Sequence, residues 1–253
     1  MGITKRVLIT GAGGLVGQVL RKELREGYDL RCVDARRRHR GLVRADMTRK
    51  RHADRVMEGV NVVIDLASAH WQRPWDVVLK NNIPAVWTTF EAARRHGVRR
   101  FIYASSNHVT GLYERDQPFA RILAGNYAGL DPATMPRITT SMPVRPDTPY
   151  GVGKALGEAA GRYYAEEHGL SVLCLRIGSL NYANRPSAPR HFATLITHAD
   201  MGRLIRSCIE APADISFGLY YGVSANMWRI WDLKEVTAAV GYQPQDDAEQ
   251  WRR

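Results

Sequence analysis

The chain has 253 residues, 45% of them hydrophobic, with 36 lysines and arginines against 25 acids for a formal charge of +11. That length bounds it to one α/β domain, or one large domain with a small appendage, long enough to bury a substantial core. No apolar run is long enough to span a membrane, no leader with a cleavage site is visible and no repeat recurs, so the expectation is a cytoplasmic protein without a membrane partner.

Cys32, Cys174 and Cys208 are far apart and read as buried thiols, with neither a disulfide framework nor metal-ligand spacing. The positive surplus is mostly arginine, clustered at Arg36-Arg37-Arg38-His39-Arg40, at Arg49-Lys50-Arg51, and at Arg94, Arg95, Arg99 and Arg100. Positive potential attracts anions, but no nucleic-acid motif or aromatic stacking pattern accompanies these residues. They are read as solvated loops and helix ends, with no nucleic-acid partner.

The first element is the apolar, β-branched run Val7-Leu8-Ile9, a buried parallel strand that breaks into Gly11, Gly13, Gly14 and Gly17 before an amphipathic helix begins. Gly11, Gly14 and Gly17 have the spacing G-x-x-G-x-x-G. A strand, a glycine turn and a helix N-terminus together make a pyrophosphate cradle, because the turn brings backbone N–H groups close to the anion and the helix dipole favours it. Leu15 and Val16 open that helix and share the cradle. Tyr28–Val33 reads as the second strand, ending at Asp34, where a carboxylate would accept hydrogen bonds from adenosine ribose hydroxyls. Asp34 would also repel a 2′-phosphate, which favours NAD over NADP, although the following arginines offset part of that repulsion.

Residues 41–45 form a short third strand, and Asp46 and Met47 after it are placed to edge an adenine ring. Residues 61–67 form the fourth strand, and the small residues Ala67, Ser68 and Ala69 at its end let a cofactor lie close to the backbone, with Leu66 also expected at the cofactor. The long helix predicted from Trp75 to His96 contains Pro84, which clashes with the carbonyl of Lys80 and predicts a kink near Asn81 and Asn82. The opened turn could aim the Asn82 amide at the site. The fifth strand, Arg100–Ala104, ends in Ser105-Ser106-Asn107-His108, polar residues at the strand end where doubly wound sheets bind ligands.

From Thr110 to Thr148 the chain reads as irregular, a length that in compact domains marks a functional or mobile segment. A helix opens at Pro149 with Asp147 or Thr148 as its cap, and it carries Tyr150 and Lys154 on one face. Ser171–Ile177 is the sixth strand, followed by a helix around Asp200–Glu210, a strand at Phe217–Val223 and a helix near Leu233–Val240. The expected fold is a Rossmann-type doubly wound parallel sheet with a small C-terminal substrate-binding appendage. Residues 1–253 form a single NAD(P)-binding domain in this reading, with substrate-side elements mainly from 109–148 and 179–230.

A tyrosine with a lysine one helical turn later can act as an acid/base pair, because the ammonium stabilises the phenolate while a nearby serine hydroxyl holds the substrate oxygen. With the glycine turn, Asp34 and Ser106, this constellation resembles the extended short-chain dehydrogenase/reductase family, the NAD-dependent epimerase/dehydratase group, over nearly the whole chain. The resemblance implies that Ser106, Tyr150 and Lys154 are catalytic, that Lys154 also binds the nicotinamide ribose, and that Ile177 touches the cofactor. Dehydratases of this group carry Asp-Glu after the hydroxyl residue, where this chain has Asn107-His108.

The runs Ala104–Gly111, Tyr150–Lys154 and Arg176–Ser179, with Gly222–Asn226 and Gly241–Pro244, are similar to the uronate dehydrogenase branch. That likeness implies NAD-dependent oxidation of the anomeric carbon of a hexuronic acid to a lactone. It implies substrate contacts at Ser106, Asn107, His108 and Ser179, and an arginine, matched by Arg190, that grips the substrate carboxylate bidentately. His70 stands where the branch has a substrate-holding serine, and the segment from His108 to Tyr150 is longer than the branch's. Both departures bear on the substrate. The alternatives are an epimerase or reductase of a nucleotide-linked or phosphorylated sugar, and a non-catalytic NAD(P)-binding regulator. Two long helices, one beginning beside Tyr150, could pair with a second copy as a four-helix interface.

Overall fold

The computed structural model describes residues 4–36 and 39–252, so Arg37 and Arg38 of the first arginine cluster lie outside the described residues. Seven strands form one parallel sheet: β1 (Arg6–Thr10), β2 (Asp29–Asp34), β3 (Val43–Arg44), β4 (Val62–Asp65), β5 (Arg100–Ser106), β6 (Ser171–Ile177) and β7 (Phe217–Gly222). Their spatial order is β3-β2-β1-β4-β5-β6-β7, so successive crossovers run one way from β1 and then the other, leaving a crevice at the strand ends between β1 and β4.

Strand side chains alternate between two cores, as a pleat of period two requires. Val7, Ile9, Ile64, Ile102, Leu173 and Leu175 join the core beneath α1 (Leu15–Glu23) and α8 (His198–Glu210). Leu8, Val63, Phe101, Tyr103, Val172 and Cys174 join the core on the opposite face. That face is covered by α2 (Lys50–Met57), α4 (Ile83–Arg95) and α6 (Pro149–His168). Phe90 of α4 stacks on Phe101 at 4.0 Å and on Tyr164 of α6 at 5.2 Å, joining sheet and helices through aromatic faces. The three cysteines are free and buried.

The predicted bent helix is built as three pieces. α3 (Trp75–Val77) runs into a π turn at Val78–Asn82, and α4 continues with Pro84 in its first turn. Proline has no N–H to give the carbonyl one turn back, so the helix widens there. Asn82 is thereby buried, and its side-chain oxygen accepts from the Ala69 N–H at 2.7 Å.

Other boundaries shift. β3 keeps only two residues of the expected five, both exposed, and β4 ends at Asp65. The segment after β5 is less irregular than its prolines suggest, with a 3₁₀ helix at Asn107–Arg115 and α5 at Phe119–Leu123. Its later part reaches the tail, where Ile138 pairs with Trp231. Past β6 the chain forms α7 (His191–Thr194), and past β7 α9 (Lys234–Val240) and a 3₁₀ turn at Ala248–Trp251.

Arg100 departs from the expectation of solvated arginines. It is buried, and its guanidinium donates to the carbonyls of Cys208, Ala211 and Pro212 at 3.1, 2.6 and 2.6 Å. The C-terminal end of α8 leaves carbonyls without helical partners, and a fixed fork of donors satisfies them. Among the described residues no helix is long and apolar enough to cross a membrane.

Candidate active site

At the first glycine turn, Gly11 sits at φ +61°, and a Cβ there would come within 2.9 Å of the Leu66 backbone. Gly14 caps α1 in an extended conformation, and the first turn of α1, with Leu15 and Val16, contains no acidic side chain to compete with an anion. Gly17 and Leu66 pack closely against the turn. A Cβ on Gly17 would lie 2.6 Å from Ala12 Cα, and Leu66 faces Gly11 through its backbone. The close contact at Gly17 is helix-on-turn packing.

A groove of about 430 Å³ opens beside this turn, lined by Gly11, Gly13, Gly14, Asp34, Asp46, Met47, Ala67, Ser68, His70 and Asn82 among others. Asp34 accepts from the N–H groups of Gly13 and Arg36 at 3.0 and 2.9 Å, which fixes its carboxylate on the groove wall. Gly13 was not among the residues expected here, and the signal for it is its place inside the glycine run. Asp46 is held below the usual carboxylate range: burial raises it, but the Thr48 hydroxyl and N–H, at 2.7 and 3.0 Å, outweigh that with help from Arg49. The Asn82 Nδ2 is buried without a hydrogen-bond partner, a donor held beside the groove.

Tyr150, Lys154 and Ile177 stand outside the walls of that groove. α6 nevertheless packs onto the π turn, since a Cβ on Gly153 would meet Val78 Cγ1 at 2.7 Å. Lys154 is buried and donates its Nζ to the Ala104 carbonyl at 2.6 Å. The ammonium lies 4.8 Å from the Tyr103 ring centroid and 5.5 Å from that of Tyr150. At the end of β4, Asp65 is fully buried, with one oxygen taking a 2.5 Å bond from Thr10 and the other without a partner. Burial pushes its carboxyl up to about 6, against the Thr10 bond and the positive charge of Lys154, which pull it down.

The strand-five residues meet Tyr150 through His108. The Ser106 hydroxyl accepts from the His108 N–H at 3.2 Å, capping the 3₁₀ helix, and the His108 ring stands edge-on to Tyr150 at 5.9 Å. His108 Nδ1 contacts the Asp147 carboxylate at 2.9 and 3.1 Å. Asp147 therefore orients the imidazole, while Thr148 caps α6 by accepting from the Gly151 N–H at 3.0 Å. Burial raises the Asp147 carboxyl, but its bond to His108 and that ring's charge bring it below the ordinary value. Trp71 stacks on His108 at 5.3 Å and lies 5.8 Å from His70, which leaves exposed His70 on the rim between groove and site.

Arg190 and Ser179 come from beyond β6 and close the far side. Arg190 Nη1 donates to Ser179 Oγ at 2.6 Å. With its amide oriented to satisfy both ends, Asn107 donates to the Ile177 carbonyl at 3.0 Å and accepts from Arg190 Nη2 at 2.9 Å. The Ile177 carbonyl thus seats Asn107. Arg190 also forms a two-point pair with Glu114, at 2.8 and 2.6 Å. Glu114, Asp147 and Trp71 escaped the sequence reading because each acts through a partner distant in the chain.

Residues 7–211 match the NAD dependent epimerase/dehydratase family. The chain is 35% identical to the NAD-dependent glucose-6-phosphate dehydrogenase of Haloferax volcanii, over 96% of this chain and 94% of that protein. It is 32% identical to the uronate dehydrogenase of Pseudomonas syringae pv. tomato, over 98% and 84%. Its fold superposes on a mutated uronate dehydrogenase with a TM-score of 0.85 at 32% identity, covering 99% of this chain and 85% of that one. With a parallel doubly wound sheet, a glycine turn at its crevice and a near full-length match, the chain belongs to the NAD-dependent epimerase/dehydratase family of extended short-chain dehydrogenases/reductases.

Proposed function

We propose that the protein is an NAD-dependent dehydrogenase that oxidises the anomeric carbon of a uronic acid or similar acidic sugar to a lactone, using Ser106, Tyr150 and Lys154. The observation that carries this reading is the buried Lys154 ammonium, anchored on the Ala104 carbonyl beside the Tyr150 ring, two residues from Ser106 along β5. A charge held there has a clear use, which is to stabilise the anionic form of the neighbouring phenol.

The groove residues fit NAD. The glycine turn admits close backbone approach, the N-terminus of α1 faces it without an acid, Asp34 supplies a ribose acceptor and Asn82 an unpaired donor. Gly11, Gly14, Leu15 and Val16 would hold the diphosphate, Asp34 the adenosine ribose, Asp46 and Met47 the adenine edge, and Asn82 with Lys154 the nicotinamide end. When bound, the nicotinamide supplies the hydride acceptor. Tyr150 takes the proton from the anomeric hydroxyl as the C–H bond to the same carbon breaks, leaving the carbonyl of the lactone. Ser106 donates to that oxygen and orients it, and Lys154 stabilises the phenolate.

A cytoplasmic location accompanies this reading, in keeping with three cysteines that remain thiols. A homo-oligomer does too, because Trp87 of α4 and Val152, Leu156 and Tyr163 of α6 leave large apolar side chains exposed on neighbouring helices.

The test mixes purified protein and NAD with uronic acids, neutral sugars, sugar phosphates and nucleotide sugars while reduced nicotinamide is followed. Tyr150→Phe is expected to lower turnover by at least about 10²-fold while NAD affinity stays within a few-fold. Turnover that survives the substitution removes the tyrosine from its role.

A further inference from the structure

Arginine has five N–H donors in a rigid plane and no acceptor, so an arginine meant to grip a ligand must keep some of them free. Arg190 keeps none. Its Nε and Nη2 donate to the two oxygens of Glu114 at 2.8 and 2.6 Å, and the second Nη2 hydrogen goes to the Asn107 amide oxygen at 2.9 Å. Nη1 donates to Ser179 Oγ at 2.6 Å and to Thr194 Oγ1 at 3.3 Å. The Glu114 contact is the paired, fork-to-carboxylate geometry that a sugar carboxylate would itself need. The pair is also neutral, so the positive charge that would draw in an acidic sugar is cancelled at its source.

Glu114 lies on the same 3₁₀ helix that presents Asn107 and His108. Its side chain is 15% exposed and that of Arg190 31%, so the pair is not sealed in the core. A carboxylate offers about four acceptor positions, and the fork uses two of them. The remainder suit donors such as sugar hydroxyls.

We infer that Glu114 is a specificity-determining residue: it fills the fork of Arg190, holds a substrate carboxylate off that arginine, and offers the hydroxyls of a neutral aldose an acceptor instead. The inference rests on the dehydrogenase reading above for its chemistry and departs from it on the substrate, putting a neutral aldose in place of the acidic sugar. An acidic sugar reaches Arg190 only by displacing Glu114, and repulsion between the two carboxylates weakens its binding.

The experiment compares sugars that differ only at C6, glucose with glucuronate and galactose with galacturonate, on the wild type and on Glu114→Gln, with Glu114→Ala as a second variant. Glutamine keeps the shape and removes the charge. The ratio of kcat/KM for uronate over aldose is expected to rise about tenfold or more, through a lower uronate KM together with a higher aldose KM. Both sugars are read on one preparation, so any loss of folded protein cancels in the ratio. Adding Arg190→Gln to Glu114→Gln is expected to erase the gain. A ratio that stays put or moves toward the aldose in both variants of an active enzyme overturns the role of Glu114 alone. A wild type that binds NAD and oxidises no sugar overturns the dehydrogenase reading and this inference with it.

Discussion

At the end of β4 a carboxyl group sits fully buried with one oxygen unpartnered, and burial lifts Asp65 to about 6. Its native value is higher than its unfolded one, so the folded state binds the extra proton between them. Wild-type stability is then complete below the unfolded value near 4, and falls as the pH rises through about 6. Asp65→Asn has no such term. Its stability relative to the wild type is expected to climb by on the order of 2 kcal/mol from about pH 4 to about pH 7 and to level off above, read from urea unfolding at each pH. A difference that is flat in pH would show that Asp65 is already ionised in the native protein. Glu114 belongs to the same scale, since the choice between a sugar hydroxyl and a sugar carboxylate turns on one side chain.

Among the elements, the π turn shows how a single covalent feature propagates. Pro84 cannot close a hydrogen bond to Lys80, the helix widens over Val78–Asn82, and Asn82 turns inward onto Ala69. Pro84→Ala restores the N–H and lets the helix run as ordinary α, which rotates residue 82 relative to the groove. NAD affinity is expected to drop several-fold by titration while stability changes by no more than about 1 kcal/mol. Unchanged affinity would mean that Asn82 keeps its place without the proline. The kink could be located from Pro84 alone, and the tyrosine–lysine spacing from α6 alone, because both are local properties of the backbone. The orienting bond from Asp147 to His108 could not, since Asp147 and Thr148 are equal candidates for the helix cap until the 3₁₀ helix brings His108 beside one of them.

For the whole molecule, the apolar patch on α4 and α6 is the feature with a consequence in solution. Trp87 and Tyr163, 51% and 45% exposed, stack on each other at 6.0 Å, with Leu156 and Val152 on the same helix as Tyr163. Tyr163→Glu places a charge in this patch and is expected to convert a dimer to a monomer by light scattering, with turnover per chain retained. A wild type that is monomeric at micromolar concentration would refute the interface. The sequence by itself determined the order of the strands and of the longer helices, the glycine turn, Asp34, and the spacing of Tyr150 and Lys154, because turn chemistry, period and helical pitch act over a few residues. Only the tertiary structure decided that Arg100 caps α8, that Ile177 seats Asn107, and that Glu114 occupies the fork of Arg190. Those pairings join residues far apart in the chain, and charge compensation between them exists only once the sheet has brought the loops together.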